Sequence, residues 1–478
     1  MNPPNPASSE SCPAALEPSL ITALRDGYTM DTADRARHNA VANNDLASLA
    51  LNREAMNGGD NHFSHRIKPK GVANQKKSGT CWMFAALNVM RPQVIRDFGM
   101  EDFEFSTSYL QFWDKMERAN LFFESVIELR DADFLDREWQ SVTKWAFHDG
   151  GWWSYVSGLI EKYGVVPRAV MPETHGSANT ETLNEVLGRL ARVHAVRLLD
   201  RHAGGRSVAE LRAEKRVALD DIYRFLVINF GAPPSEFDWR YRRDRDDGHD
   251  DDGGECAETG KDSSHSSRET DLTPPERHTP LSFYRKFVKH RPSDYVTLYN
   301  DPKNEFDRHY QFRRARNMVG AESMSFVNID SATMKRVAIA SIVANEALWF
   351  AVNMSYDQST EHGLMEHGLF DYESLFGIDL TIGKADRARF HAGVSNHAMV
   401  LTGVDLGADG APVKWQVENS WGEEKGKKGY WTMRDRWFDE HVYVIIVHRD
   451  HVPAEILERF EQPAVDLPAW YPGAPGVG

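Results

Sequence analysis

The chain has 478 residues, 41% of them hydrophobic, enough to bury a sizeable core spread over roughly two to four structural units. Its 56 Lys and Arg against 71 Asp and Glu leave a net charge of −15, which opposes generic attraction to nucleic acid. Three cysteines, at 12, 81 and 256, are too scattered for a disulfide framework and lack the Cys-x-x-Cys spacing of a metal site, which fits a reducing compartment.

The N-terminal Met1-Asn2-Pro3-Pro4-Asn5-Pro6 has neither the basic nor the apolar segment of an export signal. The most apolar stretch, 337–354, is interrupted by Ser341, Asn345 and Glu346, so neither a membrane partner nor a membrane span is expected, and a cytoplasmic location is. Residues 1–70 combine polar helix-like stretches with the turn signal Asn57-Gly58-Gly59 and read as an N-terminal arm that packs on something larger.

From Cys81 to Met90 the side chains are apolar on nearly every face, the composition of a helix through the middle of a core, which holds its first residue rigidly. A second helix is predicted from an N-cap at Ser106 or Thr107, and a third over 152–163, closed by Gly164. Residues 71–180 thus form a helical lobe with an insertion. Helical spacing continues through Leu183, Val186, Leu187 and Leu190, then Leu219, Ile222, Tyr223 and Leu226, and again around 334–352, so 181–345 reads as a helical insertion.

Inside that insertion, 240–271 is rich in Arg, Asp and Gly with almost nothing apolar, and is expected to be a mobile acidic loop. It is not a calcium loop: counting back from Gly253 puts Gly248 at the first ligand position, and counting back from Gly248 puts Arg243 there. Residues 346–460 carry short β-like runs at 397–404, 414–418, 430–433 and 442–447, separated by Gly and Asp turns, predicting a partly open antiparallel sheet or barrel. Residues 461–478 are a Pro-rich C-terminal arm. The fold class is α+β.

The chemistry concentrates in four residues. Cys81 opens its helix, where free N–H groups and the helix dipole favour a thiolate. His397, at a predicted strand start, is the candidate base and then general acid toward a departing amine. Asn419, at a predicted strand end, can accept from the ring N–H that does not face sulfur and so fix the tautomer. The Gln75 amide and the Cys81 backbone N–H are spaced across a Ser-Gly loop to receive oxyanion charge. One Cys, His or Asn alone is ordinarily structural; four in this order are not. The segment His362-Gly363-Leu364-Met365-Glu366-His367 lacks the two-His spacing that puts both rings on one helix face, so no metal and no cofactor are expected.

Residues 75–90 and Asn419-Ser420-Trp421-Gly422 resemble the papain-like cysteine peptidases. The fuller match is to their bleomycin hydrolase and aminopeptidase C branch, through Asn74-Gln75-Lys76-Lys77-Ser78-Gly79-Thr80-Cys81-Trp82-Met83-Phe84 and residues 170–174, 300–302, 397–403 and 417–422. The likeness runs from about residue 30 to the C-terminus. It implies a papain-like two-lobed fold, a helical lobe plus an antiparallel β-barrel-like lobe, with helical insertions and terminal arms. It implies aminopeptidase action on peptides with free N-termini, a homohexamer, and a C-terminal arm that limits access.

By the same resemblance, Gly150 and Gly151 would lie alongside an extended substrate, and the carboxylate of Gly478 would pair with a substrate α-ammonium. The chain departs from the branch at Tyr471, where Asp usually follows Trp, in its Gly-Ala-Pro-Gly-Val-Gly end, and at Asn396, where Thr usually precedes the His. Two alternatives of other classes stand beside this reading: a nucleic-acid-binding homo-oligomer, which the −15 balance disfavours, and a catalytically silent peptide-binding scaffold.

Overall fold

The structure is a computed structural model that describes residues 15–57, 60–67, 71–144, 146–244 and 272–474. Most of the expected acidic loop and the end of the C-terminal arm, Gly478 included, lie outside the described residues. Chain contacts divide it into two compact units.

The smaller unit joins the N-terminal residues up to Asn57 with Gly368–Thr381. Its short helices begin at side-chain caps, Asp31 on the Asp34 N–H, Asp45 on that of Ser48 and Asn52 on those of Glu54 and Ala55. The returning segment is held by the backbone bonds Asn52 N–H to Leu369 O (2.9 Å) and Asp371 N–H to Ala50 O (2.7 Å).

The larger unit holds every candidate site residue described. Helix Cys81–Phe98 is buried over nearly its whole length and ends at Gly99 in the left-handed conformation. Helix Thr107–Glu128 starts at the cap Ser106, which accepts from the Tyr109 N–H, and helix Trp153–Tyr163 stops at Gly164. Glu181–Ala203 and Val208–Phe230 form a helical pair, the second opened by a capping box between Ser207 and Glu210.

Among the described residues, twelve strands join one sheet. Val442–His448, Leu348–Val352, His397–Leu406, Pro412–Glu418 and Tyr430–Arg434 lie side by side in it, each antiparallel to the next. Beyond Val442–His448 come Tyr295–Tyr299, Ser325–Asn328, Arg308–Phe312 and Val465–Leu467, two of these pairings being parallel, so the sheet is mixed. The fold class is α+β, as the sequence predicts.

One expected element is corrected. The helix read over 334–352 is Ser331–Val343 only, terminated by Asn345 at φ 62°, and Leu348–Val352 is a strand. The confusion has a physical source. Trp349 and Ala351 pack toward helix Cys81–Phe98, while Leu348, Phe350 and Val352 pack toward Met334, Trp431 and Trp437, so the strand is apolar on both faces and shows no alternation. The neighbouring strand divides the same way, Ala398 and Val400 to one core and Met399 and Leu401 to the other.

Candidate active site

The loop before Cys81 is built by Gln75 and Ser78. The Ser78 N–H and hydroxyl both donate to Gln75 O, at 3.1 and 2.8 Å, closing a tight turn. The Gln75 side chain is held at both ends: its Nε2 donates to Ser78 O (2.6 Å) and its Oε1 accepts from the Ser420 hydroxyl (2.5 Å). The Gln75 backbone N–H donates to Ser420 O (2.8 Å), so this loop is stitched to the residue after Asn419. A carboxamide has two N–H bonds, and Ser78 O takes one of them.

Cys81 then opens its helix half-buried, and the preceding Thr80 makes no side-chain cap. The N–H groups of Ala398, Trp82 and Cys81 itself act on the sulfur and stabilise its anion, which sets the thiol against the residue that follows His397. Burial acts the other way and dominates, raising the thiol above its ordinary value.

His397 begins its strand opposite Val352 and is 8% exposed. Its Nε2 lies 2.9 Å from Asn419 Oδ1, and the Ser420 N–H donates to the same Oδ1 at 2.8 Å. An atom that accepts from a backbone N–H is the oxygen of the amide, so the ring nitrogen facing it donates. That fixes the tautomer with the proton on Nε2 and leaves the Nδ1 lone pair available. The Trp421 ring covers the pair, its centroid 4.9 Å from that of His397. Burial drops the imidazole to about 4, against the opposing effect of Asn419. At neutral pH the isolated thiol and the isolated imidazole are therefore both uncharged.

Sequence reasoning did not single out Asp149, which binds the loop to the helices around it. It accepts from the Gly79 N–H (3.2 Å), Lys115 Nζ (2.6 Å), the Thr180 hydroxyl (2.5 Å) and Asn184 Nδ2 (2.7 Å). Burial works against its charge, but Lys115, Thr180 and Asn184 outweigh it and hold the carboxyl well below the usual range. Its carbonyl receives the Trp82 indole N–H at 2.7 Å. No pattern in the sequence marks Asp149, because its partners come from three separate segments, around 79–82, at 115 and over 180–184.

The two glycines differ. A Cβ on Gly151 would sit 2.5–2.8 Å from Trp82 ring atoms, so glycine there is required by packing. A Cβ on Gly150 would meet only the His148 ring, 3.1 Å away at Nδ1, and its carbonyl is fixed by Arg118 Nη2 (2.7 Å). The C-terminal arm is described as far as Ala474. The Tyr471 hydroxyl donates to Asp301 Oδ2 (2.7 Å) and accepts from Lys303 Nζ (2.6 Å) and Asn304 Nδ2 (2.7 Å). The departure at Tyr471 is thus a seated anchor.

Residues 15–256 and 264–474 match the model of the Peptidase C1-like family. The chain is 37% identical to an aminopeptidase C of Streptococcus thermophilus over 460 residues, 96% of this chain and 98% of that one. It is 34% identical to the bleomycin hydrolase of Homo sapiens over 470 residues, again covering 96% and 98%. Among solved structures it is similar to PepW from Lactobacillus rhamnosis, with a TM-score of 0.87 and 34% identity, covering 96% of this chain and 99% of that one.

Proposed function

The chain belongs to the Peptidase C1-like family, and from that premise we propose that it is a cysteine aminopeptidase that releases N-terminal residues from peptides and hydrolyses related amides. The observation that carries the reading is the Asn419 Oδ1 to His397 Nε2 contact at 2.9 Å beside a helix that begins with Cys81.

Cys81 Sγ adds to the scissile carbonyl carbon while His397 Nδ1 takes the thiol proton. Each buried charge then supplies the solvation that burial removed from the other. The oxyanion receives the second Gln75 amide N–H and the Cys81 backbone N–H. His397 returns its proton to the departing amine nitrogen, the C–N bond breaks, and a thioester remains on Cys81. Water, deprotonated by the same Nδ1, attacks the thioester and releases the acid and the thiol. Asn419 keeps the ring in one tautomer throughout, and Gly150 lies against substrate backbone.

The same reading makes the enzyme a cytoplasmic homo-oligomer, a hexamer by family likeness, whose C-terminal arm admits only free amino ends, Gly478 pairing with the α-ammonium. Large exposed hydrophobic side chains such as Phe134 and Ile228 support subunit contacts, and no helix among the described residues is long and apolar enough to cross a membrane.

The test compares free and N-acetylated peptides with the full chain, with Cys81→Ser, and with a chain lacking residues 475–478. The full chain should cleave only free ends, Cys81→Ser nothing, and the truncated chain should accept blocked ends. Hydrolysis by Cys81→Ser defeats the chemistry; an unchanged preference in the truncated chain defeats the arm alone.

A further inference from the structure

Away from Cys81, three side chains that no step of the reaction uses converge. Asp357 lies in a turn at φ 49°, His367 follows strand Leu364–Met365, and His441 ends helix Asp435–His441. One potential ligand atom from each lies within 4.8 Å of the other two. His362, the other histidine of the sequence segment, is not in the group; its Nδ1 bonds the Ser359 hydroxyl (2.9 Å). The group therefore arises from tertiary folding, which a search for helical His spacing does not detect.

Two further observations point to a ligand. His367 Nδ1 and His441 Nδ1 are both buried with no hydrogen-bond partner, and His441 as a whole is 3% exposed. A buried polar atom left unsatisfied costs about 1–3 kcal/mol, so two such nitrogens on members of one cluster are a deficit that a bound ligand could relieve. Of the cations nearby, Arg387 is engaged through its terminal nitrogens, its Nε having no hydrogen-bond partner, and Lys384 through its Nζ. Arg387 donates to Ile382 O and to Glu440, and Lys384 to Asn300 Oδ1, Asp439 O and Val442 O. Glu366, next to His367, is turned to Arg434 (3.3 Å).

We infer that Asp357, His367 and His441 form a binding site for one divalent transition-metal ion of the zinc class. Two imidazole nitrogens and one carboxylate oxygen suit a borderline ion, whereas calcium and magnesium require more oxygen ligands. Three protein ligands leave one coordination position open. The ion fastens the turn at Asp357 to the end of helix Asp435–His441. That turn continues from residues that support the base: the Asn353 N–H donates to His441 O (2.9 Å) and the Met354 N–H to Asn396 Oδ1 (2.8 Å), one residue from His397.

The test is metal binding to the full chain carrying Cys81→Ala, so that the thiol neither binds the probe nor turns over substrate. Zn2+ is titrated against a chromophoric chelator, and Co2+ is followed by its visible d–d absorption. About one tight equivalent is expected, with Co2+ bands of a low-coordinate N/O site. Because changes in groups that merely support a ligand already cost 10–100-fold, His367→Gln and Asp357→Asn should each weaken binding by more than about 100-fold. His362→Gln should leave it unchanged. Should His441→Gln fail to fold, the half-buried His367 and Asp357 variants still decide. No tight equivalent in the parent chain, or equal binding in the His367 and Asp357 variants, overturns the site and leaves the peptidase reading untouched.

Discussion

Arg91, on the helix that Cys81 opens, and Glu418, the residue before Asn419, form an ion pair at 2.7 Å with side chains 2% and 0% exposed. The pair ties the helix that Cys81 opens to the strand that leads into Asn419, the hydrogen-bond partner of His397. Arg91 Nη2 also donates to Gly71 O (2.9 Å), so one guanidinium spans three segments of the site.

Arg91→Met should destabilise the fold by about 3–5 kcal/mol, because it leaves the Glu418 carboxylate buried without a counter-charge. Arg91→Met with Glu418→Leu should cost clearly less than the sum of the two single changes, since no isolated charge then remains. Urea unfolding of the three variants measures this, and strict additivity would show that the pair is not coupled.

If Gln75 serves the oxyanion as proposed, Gln75→Ala should lower kcat by about 10²–10³ with little change in KM, since that charge is present only in the transition state. Ser420→Ala should cost less. It removes the hydroxyl that holds Gln75 Oε1 but leaves the Ser78 contact. A rise in KM with kcat intact for Gln75→Ala would assign the amide to ground-state binding.

Stability should fall as pH falls from about 6.5 toward 4. His397 is depressed to about 4 by burial, and His148 to about 3 by burial and the charges of Arg118 and Lys115. Between the ordinary imidazole value and these, the unfolded chain binds protons that the folded chain refuses, so each group costs about 1.4 kcal/mol per pH unit in that window and nothing above it. Melting temperatures at pH 7.5, 5.5 and 4.5 test this, with His148→Gln expected to flatten the slope. The acid limb of kcat/KM should lie near 4, and a limb near 6.5 would contradict the burial effect on His397.

Gly151→Ala should destabilise the fold by about 1–3 kcal/mol by forcing Trp82 aside, whereas Gly150→Ala should fold normally and raise KM. Normal folding of both would mean that Trp82 can yield, and normal kinetics for Gly150→Ala would remove that residue from the substrate path.

The parts of this molecule that carry a local signal were legible in the sequence. The Ser106 cap, the Gly164 stop and the strands beginning at His397 and Tyr430 each follow from neighbouring residues alone. Gln75, Cys81, His397 and Asn419 could be picked out as candidates because each proposed role demands one residue type in a distinctive local context, and the structure adds the His397–Asn419 and Gln75–Ser420 contacts. Leu348–Val352 was misread because burial on both faces erases the period-two pattern that distinguishes a strand. Asp149, the Arg91–Glu418 pair and the Asp357–His367–His441 group escaped notice for a different reason. Each depends on side chains brought together from distant segments, and nothing within a short window of sequence encodes that meeting.

The carboxylate of Asp149 grips the Gly79 loop while its own backbone carbonyl grips the Trp82 indole, and Gly151 fits against that same indole. Anyone wishing to evolve new substrate preferences will find these two stretches genetically inseparable. A library randomising 76–80 alone, or 148–152 alone, samples mostly broken combinations, because a change on either side meets an unaltered counterpart. Paired libraries that vary both stretches at once are the productive design.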